Sequence, residues 1–219
     1  MSATDCILIT GFEAFNGEAV NPSAQLVQRL QGERLAPAVR VETAVLPCVF
    51  DEALKVLEVQ VDRLRPRLVL CCGQAGGRSA MSFERVAINL DDARIPDNAG
   101  AQPIDRAVHA EGPAAYFTTL PVKAMVGALR DAGLPAELSH TAGTFVCNHV
   151  FYGLMHLARL RPWLRQAGFL HVPYLPEQAC RHPQAPSMSL DTLSAGLRLA
   201  LQVALRTGED LQVSEGTLS

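Results

Sequence analysis

The sequence contains no long hydrophobic run and no excess of basic charge, and each absence excludes a class of protein. No uninterrupted apolar stretch among its 219 residues approaches the roughly 18 residues of a membrane span. Lysine and arginine together number 19 against 22 acidic residues, which gives a net charge of −3 without a basic cluster. We therefore expect a soluble protein that binds neither a membrane nor the phosphate backbone of a nucleic acid.

The chain also lacks the patterns of a secretion signal and of a disulfide framework. Its N-terminal segment 1–5 is polar without a basic flank, and the apolar run at 6–9 is too short for the core of a signal peptide. The six cysteines include no C-x-x-C pair. Because nothing directs the chain to an oxidising compartment, we expect free thiols in a protein that is not exported.

Hydrophobic residues make up 48% of the chain, which is enough for one full core. Strand-like runs alternate with segments of helical spacing. We predict strands at 6–10, 39–46, 68–72, 136–139 and 169–172, an extended stretch at 81–90, and helices at 22–31, 50–65, 121–132, 145–160 and 190–206. Strands separated by helices pair in parallel, so the sequence predicts a single α/β domain over 1–219, a three-layer α/β/α sandwich around a mostly parallel twisted sheet. The polar tail at 208–219 is expected to fray.

Four polar segments, at 11–21, 73–84, 141–148 and 171–177, follow predicted strands or precede a predicted helix. In a parallel sheet covered by helices, the carboxyl ends of the strands and the N-termini of the following helices share one edge, where ligands bind. We therefore expect these four segments to converge and to hold the functional residues.

Cys147 is the most suggestive single residue, because helical spacing begins directly after the segment 140–144. In the first turn of a helix, free backbone N–H groups and the helix dipole favour a thiolate. The alternative is a small buried apolar residue at a helix start, which is the commoner role of a single cysteine. His171 ends a predicted strand at the same edge and can exchange a proton with a thiol. His140 and His149 also flank Cys147, so proximity in the sequence does not choose the base.

Glu84 is a carboxylate within an otherwise apolar, extended stretch, and it therefore needs a partner. It either orients a histidine across the site, or it forms an ordinary ion pair with Arg78 or Arg85. A zinc site made of His140, Cys147 and His149 is a further alternative, although this spacing matches no usual set of zinc ligands.

Four blocks of the sequence, in the order in which the family has them, resemble pyroglutamyl peptidase I, and they span roughly 6–205. They are TGFEAFNGE at 10–18 with NPS at 21–23; GQAGGR at 73–78 with FERVAIN at 83–89 and DARIPDN at 92–98; TAGTFVCNHVFY at 141–152; and GFLHVPYLPEQ at 168–178. The family usually has proline at the position of Ala14 and glycine at that of Asn16. Asparagine tolerates positive φ, so Asn16 is compatible with the turn.

The resemblance implies a phosphorylase/hydrolase-like sandwich and a cysteine peptidase that cleaves the amide bond after an N-terminal pyroglutamyl residue, through a thioester. In these motifs, the family's catalytic triad corresponds to Cys147, His171 and Glu84. The residues of the family's substrate pocket correspond to Phe12, Phe15, Asn21, Gln74, Phe145 and Val146. Backbone N–H groups at the helix start, aided by Gln74 or Arg94, are expected to stabilise the oxyanion. Backbone groups and Asn21 are expected to pair with the lactam of the substrate.

The resemblance further implies a cytoplasmic enzyme that acts on small peptides, assembles into homo-oligomers such as dimers or tetramers, and uses neither a metal nor an organic cofactor. Two rival functions stay open at this point. One is a nucleoside phosphorylase, which would need a phosphate site and could use Arg78 and Arg94. The other is a non-catalytic module that binds a small molecule between Phe12 and Phe15.

Overall fold

The computed structural model describes residues 5–216 as a seven-stranded sheet that carries helices on both faces. The strands are β1 (Asp5–Phe12), β2 (Arg34–Ala36), β3 (Val39–Leu46), β4 (Leu68–Gln74), β5 (Met81–Glu84), β6 (Val86–Ile88), β7 (Ala115–Phe117), β8 (Ala136–Ser139) and β9 (Gln166–Val172). The helices are α1 (Pro22–Arg29), α2 (Glu52–Leu64), α3 (Val122–Asp131), α4 (Val146–Leu160), α5 (Pro176–Ala179) and α6 (Leu190–Arg206).

The large sheet has the order β2-β3-β1-β4-β9-β5-β8, and β6 and β7 form a separate two-stranded sheet. Strands β3, β1, β4 and β9 run parallel to one another, as do β5 and β8, whereas β2/β3 and β5/β9 are antiparallel. The predicted α/β fold with a mostly parallel sheet is therefore confirmed. Its parallel centre brings the carboxyl ends of β1, β4 and β9 to one edge, where the functional segments were expected.

Alternating side chains of the central strands feed two cores, one on each face of the sheet. In β4, Leu68, Leu70 and Cys72 pack on the face covered by α1, α3 and α6, while Val69 and Cys71 pack on the face covered by α2 and α4. The six cysteines are all free thiols, as expected. The two faces matter for function, because a residue at the edge of the sheet points towards one core or the other.

Three short elements escaped the sequence patterns, namely β2, β7 and α5, and the extended stretch at 81–90 is divided between two sheets. The division falls at Arg85, whose backbone N–H donates to Ser139 O at 2.8 Å while its carbonyl accepts from Thr118 N at 3.0 Å. Arg85 therefore links the large sheet to the small one. The chain leaves β5 directly after Glu84, which fixes the position of that carboxylate.

The polar tail at 208–219, which was expected to fray, contacts α3 in the part that the structure describes. Asp210 accepts hydrogen bonds from the backbone N–H groups of Lys123 and Ala124, at 3.1 and 3.0 Å. Helix α3 needs this help, because Pro121 precedes it and supplies no side-chain cap. Glu215 adds an ion pair with Arg130 at 2.9 Å.

Within residues 5–216, none of the helices has the length and the apolar character that crossing a bilayer requires.

Candidate active site

Helix α4 begins with free backbone donors. Its N-cap residue, Phe145, supplies no side-chain cap. Among the hydrogen bonds of the described residues, none has the amide of Val146, Cys147 or Asn148 as its donor. The preceding Thr144 is fixed from outside the helix, since its carbonyl and hydroxyl bond to the backbone of Asp92 at 3.0 and 2.7 Å. The first turn is thus held in place with its donors open, as an anion-stabilising site requires.

The thiol of Cys147 lies over the carboxyl end of β4. A β-carbon placed on Gly73 would come within 2.8 Å of Cys147 Sγ, so only glycine leaves room for the sulfur. Gly73 is the direct register partner of His171 in the neighbouring strand β9. Cys147 and His171, which are 24 positions apart in the sequence, therefore meet at the same point of the sheet edge.

His171 is buried, and one of its ring nitrogens is fixed by a carboxylate. Its Nδ1 lies 2.7 Å from Oε1 of Glu84, which is itself fully buried. Because an ionised carboxylate only accepts, Nδ1 carries the proton and Nε2 is left with a lone pair. No hydrogen bond to Nε2 is present among the described residues. The free nitrogen is the one that a proton-accepting role requires.

The protonation of the pair corrects one expectation from the sequence, since the helix start was expected to favour a Cys147 thiolate. Burial instead raises the pKa of Cys147 well above its ordinary value, and the neighbouring thiol of Cys48 and the charge of Glu84 raise it further. Burial also lowers the pKa of His171, against the opposing effect of Glu84. The resting site therefore holds a neutral thiol beside a neutral imidazole.

Glu84 has both of the partners that the sequence left as alternatives, and they share one oxygen. Arg78 Nη1 donates to Glu84 Oε1 at 2.7 Å, the same oxygen that His171 approaches. Arg78 Nη2 donates to the carbonyl of Thr141 at 2.9 Å. Arg85 is not a partner of Glu84. Because Arg78 is committed to these two acceptors, it is not free for the phosphate site of a phosphorylase.

An aromatic wall stands beside the start of α4. Phe145 packs against Phe15 at 5.9 Å and against Phe50 at 5.4 Å between ring centroids. Phe12 lies deeper and packs against Phe169. Phe145 also lines an open cavity of about 420 Å³, whose other residues are Asn16, Asp92, Arg94, Ile95, Gly143 and Thr144. Asn16 adopts a positive φ of 52°, as its substitution for glycine suggested.

Not every residue of the expected pocket presents its side chain there. The Val146 side chain is fully buried in the core and does not line the open cavity. Asn21 caps α1, with Oδ1 accepting from Ser23 and Nδ2 donating to Glu13 O. The expected pairing of the Asn21 oxygen with a lactam is therefore not available without releasing this cap.

Gln74 is likewise occupied, and its partner Gln178 was not singled out from the sequence. Gln178 Nε2 donates to Gln74 Oε1 at 3.0 Å and to Val20 O at 3.2 Å, while its Oε1 accepts from Leu175 N. Gln178 thus joins three segments of the functional edge. A sequence signal existed, because proline at the first position of a helix and glutamine at its third are typical of a helix start.

A second carboxylate–histidine pair lies close by and was also missed. His149 Nδ1 lies 2.9 Å from Asp91 Oδ2, and its Nε2 accepts from the backbone N–H of Asp51 at 3.0 Å. Arg106 completes the group by donating to Asp91 at 2.8 Å. With both ring nitrogens occupied, His149 is neither the base nor a zinc ligand. Within residues 5–216, no three Cys, His, Asp or Glu side chains are grouped so that they could hold a metal ion.

Comparison with known proteins places this geometry in context. The family described as pyroglutamyl peptidase matches residues 5–207. The pyrrolidone-carboxylate peptidase of Cupriavidus taiwanensis is 59% identical over 213 residues, which cover 97% of this chain and 98% of that protein. The crystal structure of pyroglutamyl peptidase I from Bacillus amyloliquefaciens has a TM-score of 0.92 at 44% identity, over 96% of this chain and 99% of that chain. A variant pyrrolidone carboxyl peptidase from Pyrococcus furiosus has a TM-score of 0.88 at 39% identity, over 92% and 98% of the two chains.

Proposed function

The chain belongs to the pyroglutamyl peptidase family, and on that premise we propose that Cys147, His171 and Glu84 form its catalytic triad. The protein is a cysteine peptidase that removes pyroglutamate from the N-terminus of peptides. The observation that supports this assignment of residues is the 2.7 Å contact between Glu84 and His171, which leaves the Nε2 lone pair free at the strand end where the Cys147 thiol lies.

The reaction begins with a proton transfer, because the resting thiol is protonated. His171 Nε2 takes the proton of Cys147 as Sγ attacks the carbonyl carbon that joins pyroglutamate to the next residue. Glu84 stabilises the imidazolium that forms. The open amides at the start of α4 are donors for the oxyanion, and Arg94, which lines the adjacent cavity, adds a positive charge there.

The second half of the reaction returns every group to its starting state. As the tetrahedral intermediate collapses, the amide C–N bond breaks and the imidazolium of His171 gives its proton to the leaving amine. Water, deprotonated by His171, then attacks the thioester carbonyl. The C–S bond breaks, pyroglutamate leaves, and the Cys147 sulfur regains a proton from His171.

The cavity beside Phe145 fits the small, flat lactam ring of the substrate. Phe145 and Ile95 supply apolar surface, Phe15 packs against Phe145, and polar groups border the cavity. Phe12, Gln74 and Asn21 hold the surrounding loops in shape. A ring without the lactam carbonyl, such as that of proline, leaves the donors of the site unpaired and is expected to be rejected.

The remaining features of the proposal follow from the resemblance to the family. We propose a single domain over 1–219 that works in the cytoplasm as a homo-oligomer, a dimer or a tetramer, and that needs neither a metal nor an organic cofactor. Chelators should then leave turnover unchanged while thiol alkylators remove it. Inactivation by a chelator that added zinc reverses would contradict this part of the proposal.

The direct test is release of a reporter amine from a pyroglutamyl amide, with the matching prolyl amide as the control substrate. Cys147→Ser should abolish turnover and leave the fold intact. Cys48→Ser is the matched control and should retain most activity, because Cys48 is a second buried thiol that lies before α2 and not in the first turn of α4. Turnover near the wild-type level in Cys147→Ser would show that the proposed mechanism is wrong.

A further inference from the structure

Arg78 joins the acid of the triad to the loop that leads to the nucleophile. One arm of its guanidinium donates to Glu84 Oε1 at 2.7 Å, and the other donates to the carbonyl of Thr141 at 2.9 Å. The loop that begins at Thr141 ends at the start of α4, where Cys147 lies. This geometry requires the planar guanidinium of arginine, whose two arms reach two acceptors at once. The ammonium group of lysine is a compact point charge without that planar pair of donors.

Arg78 is also the charge that balances a fully buried carboxylate. Glu84 has no exposure to solvent, and its second oxygen, Oε2, has no hydrogen-bond partner among the described residues. Both His171 and Arg78 therefore bind the same oxygen, and of these two only Arg78 carries a permanent positive charge. A buried carboxylate without a compensating cation is strongly destabilised in its ionised form.

We propose that Arg78 is a positioning residue of this peptidase, which acts through Glu84 to keep His171 neutral and correctly oriented at the pH where the enzyme works. The inference rests on the proposed triad and extends it by one residue. Arg78 shares the oxygen that holds His171, so its guanidinium both fixes the position of the carboxylate and limits how strongly that carboxylate draws a proton onto the imidazole.

The charges around the thiol and the imidazole determine the sign of the effect. Arg78 lowers the pKa of both Cys147 and His171, whereas Glu84 raises both. The other titratable groups that act on Cys147 are the buried thiols of Cys48 and Cys71. Removing the positive charge of Arg78 therefore raises the pKa at which the group formed by Cys147, His171 and Glu84 loses its proton, whichever of the three holds it. The acid limb of activity must then move to higher pH.

The experiment compares the pH profile of kcat/KM for the wild type, Arg78→Gln, Arg78→Lys and Arg85→Gln, with the pyroglutamyl reporter amide as substrate. In Arg78→Gln we expect the acid limb to move up by roughly half a unit to one unit. We expect kcat to fall by roughly 10- to 100-fold, because the imidazole loses its fixed orientation. Arg78→Lys keeps the charge, so its acid limb should stay near that of the wild type.

Arg85→Gln is the matched control, since Arg85 is the next arginine in the sequence but lines a separate cavity beside Phe117 and Thr118. It should leave both the rate and the profile unchanged. Thermal unfolding of each variant shows whether the fold is intact. Should Arg78→Gln fail to fold, the cleavage rates of Arg78→Lys and Arg85→Gln are compared instead. A full wild-type rate in Arg78→Lys would contradict the need for the two-armed contact of arginine.

A second measurement needs no substrate and separates this inference from the proposed function. The rate at which iodoacetamide alkylates Cys147, followed by mass spectrometry of its peptide, is recorded against pH for the wild type and for Arg78→Gln. The profile should move to higher pH in the variant. If the wild type does not cleave the pyroglutamyl amide, the proposed function fails. If it cleaves but neither profile moves in Arg78→Gln, the role of Arg78 is wrong.

Discussion

Two buried carboxylate–histidine pairs lie near the start of α4, and they are built from nearly the same parts. In one, Glu84 lies 2.7 Å from Nδ1 of His171; in the other, Asp91 lies 2.9 Å from Nδ1 of His149. Both carboxylates and both imidazoles are almost completely buried, and an arginine donates to each carboxylate. Neither burial nor the ion pair distinguishes the proposed catalytic pair, Glu84 and His171, from the other.

The difference lies in the second ring nitrogen. Nε2 of His149 accepts the backbone N–H of Asp51, which stands just before α2 with a positive φ of 59°. Nε2 of His171 has no partner among the described residues, and Gly73, the strand partner of His171, lies against the Cys147 thiol. A histidine with both nitrogens occupied holds loops together, whereas one with a free nitrogen can exchange a proton with a substrate or a thiol.

The largest expected effect separates the two histidines directly. His171→Ala removes the base and should lower kcat by about 10²–10⁴-fold, because a general acid–base residue contributes on that scale. His149→Ala should leave kcat of the folded enzyme within about threefold, yet lower the free energy of unfolding by about 2–4 kcal/mol, since it strands Asp91 and the Asp51 amide. Steady-state kinetics of both variants measures kcat, and denaturant unfolding measures the free energy of unfolding. A large loss of kcat in a fully folded His149→Ala would remove the distinction.

The next effect concerns Glu84, which acts only through His171. Glu84→Gln keeps the shape and one hydrogen bond and should retain measurable activity below that of the wild type. In a His171→Ala background the same change should cost little more, because a supporting group has nothing left to orient. A double-mutant cycle on kcat/KM measures the coupling. Fully multiplicative losses would show that Glu84 is a structural partner of Arg78 instead.

Asp91→Asn is the counterpart in the other pair and should act on stability. The amide presents N–H where Arg106 and His149 both donate, so the free energy of unfolding should fall by about 1–3 kcal/mol. The pH profile of kcat/KM should keep its wild-type acid limb, because Asp91 does not contact the reacting groups. Denaturant unfolding and the pH profile test the two statements separately, and an acid limb that moves in Asp91→Asn would contradict the second.

The smallest expected effect is a displacement in the pH profile of the wild type. Burial lowers the pKa of His171, and the imidazole must be neutral to accept the thiol proton. Activity therefore rises with pH through a midpoint that lies below the ordinary histidine value of about 6.5. The measurement is kcat/KM against pH in buffers of constant ionic strength. A midpoint above about 7 would show that Glu84 outweighs burial at this site.

The parts of the fold that the sequence predicted are those that local patterns determine. The bounds predicted for β3 and α6 match the structure, and Cys147 lies in the first turn of a helix at the expected edge. Long runs of apolar or helical spacing gave these elements a strong signal. The three-residue strands β2 and β7 give no such signal, because three residues show neither alternation nor a composition that stands out.

The parts of the site that escaped prediction depend on distant contacts. Asp91 and His149 are 58 positions apart, and nothing in either neighbourhood indicates that they meet. The protonation of Cys147 depends on how deeply the helix start is buried, which the helix position alone does not reveal. The resemblance to a family predicted Cys147, His171 and Glu84 as a set. Without it, the sequence left both the base and the partner of Glu84 undecided.

The cap that Asp210 places on α3 also has a consequence for synthesis on the ribosome. Asp210 lies 87 positions after Lys123, the residue whose N–H it accepts. At about 5–20 residues per second, translation needs roughly 4–17 s to cover that distance. During that time the nascent α3 has open N-terminal donors, and its docking cannot be completed. A chain that is truncated just after α6 is therefore expected to remain a better substrate for chaperones and proteases than the finished protein.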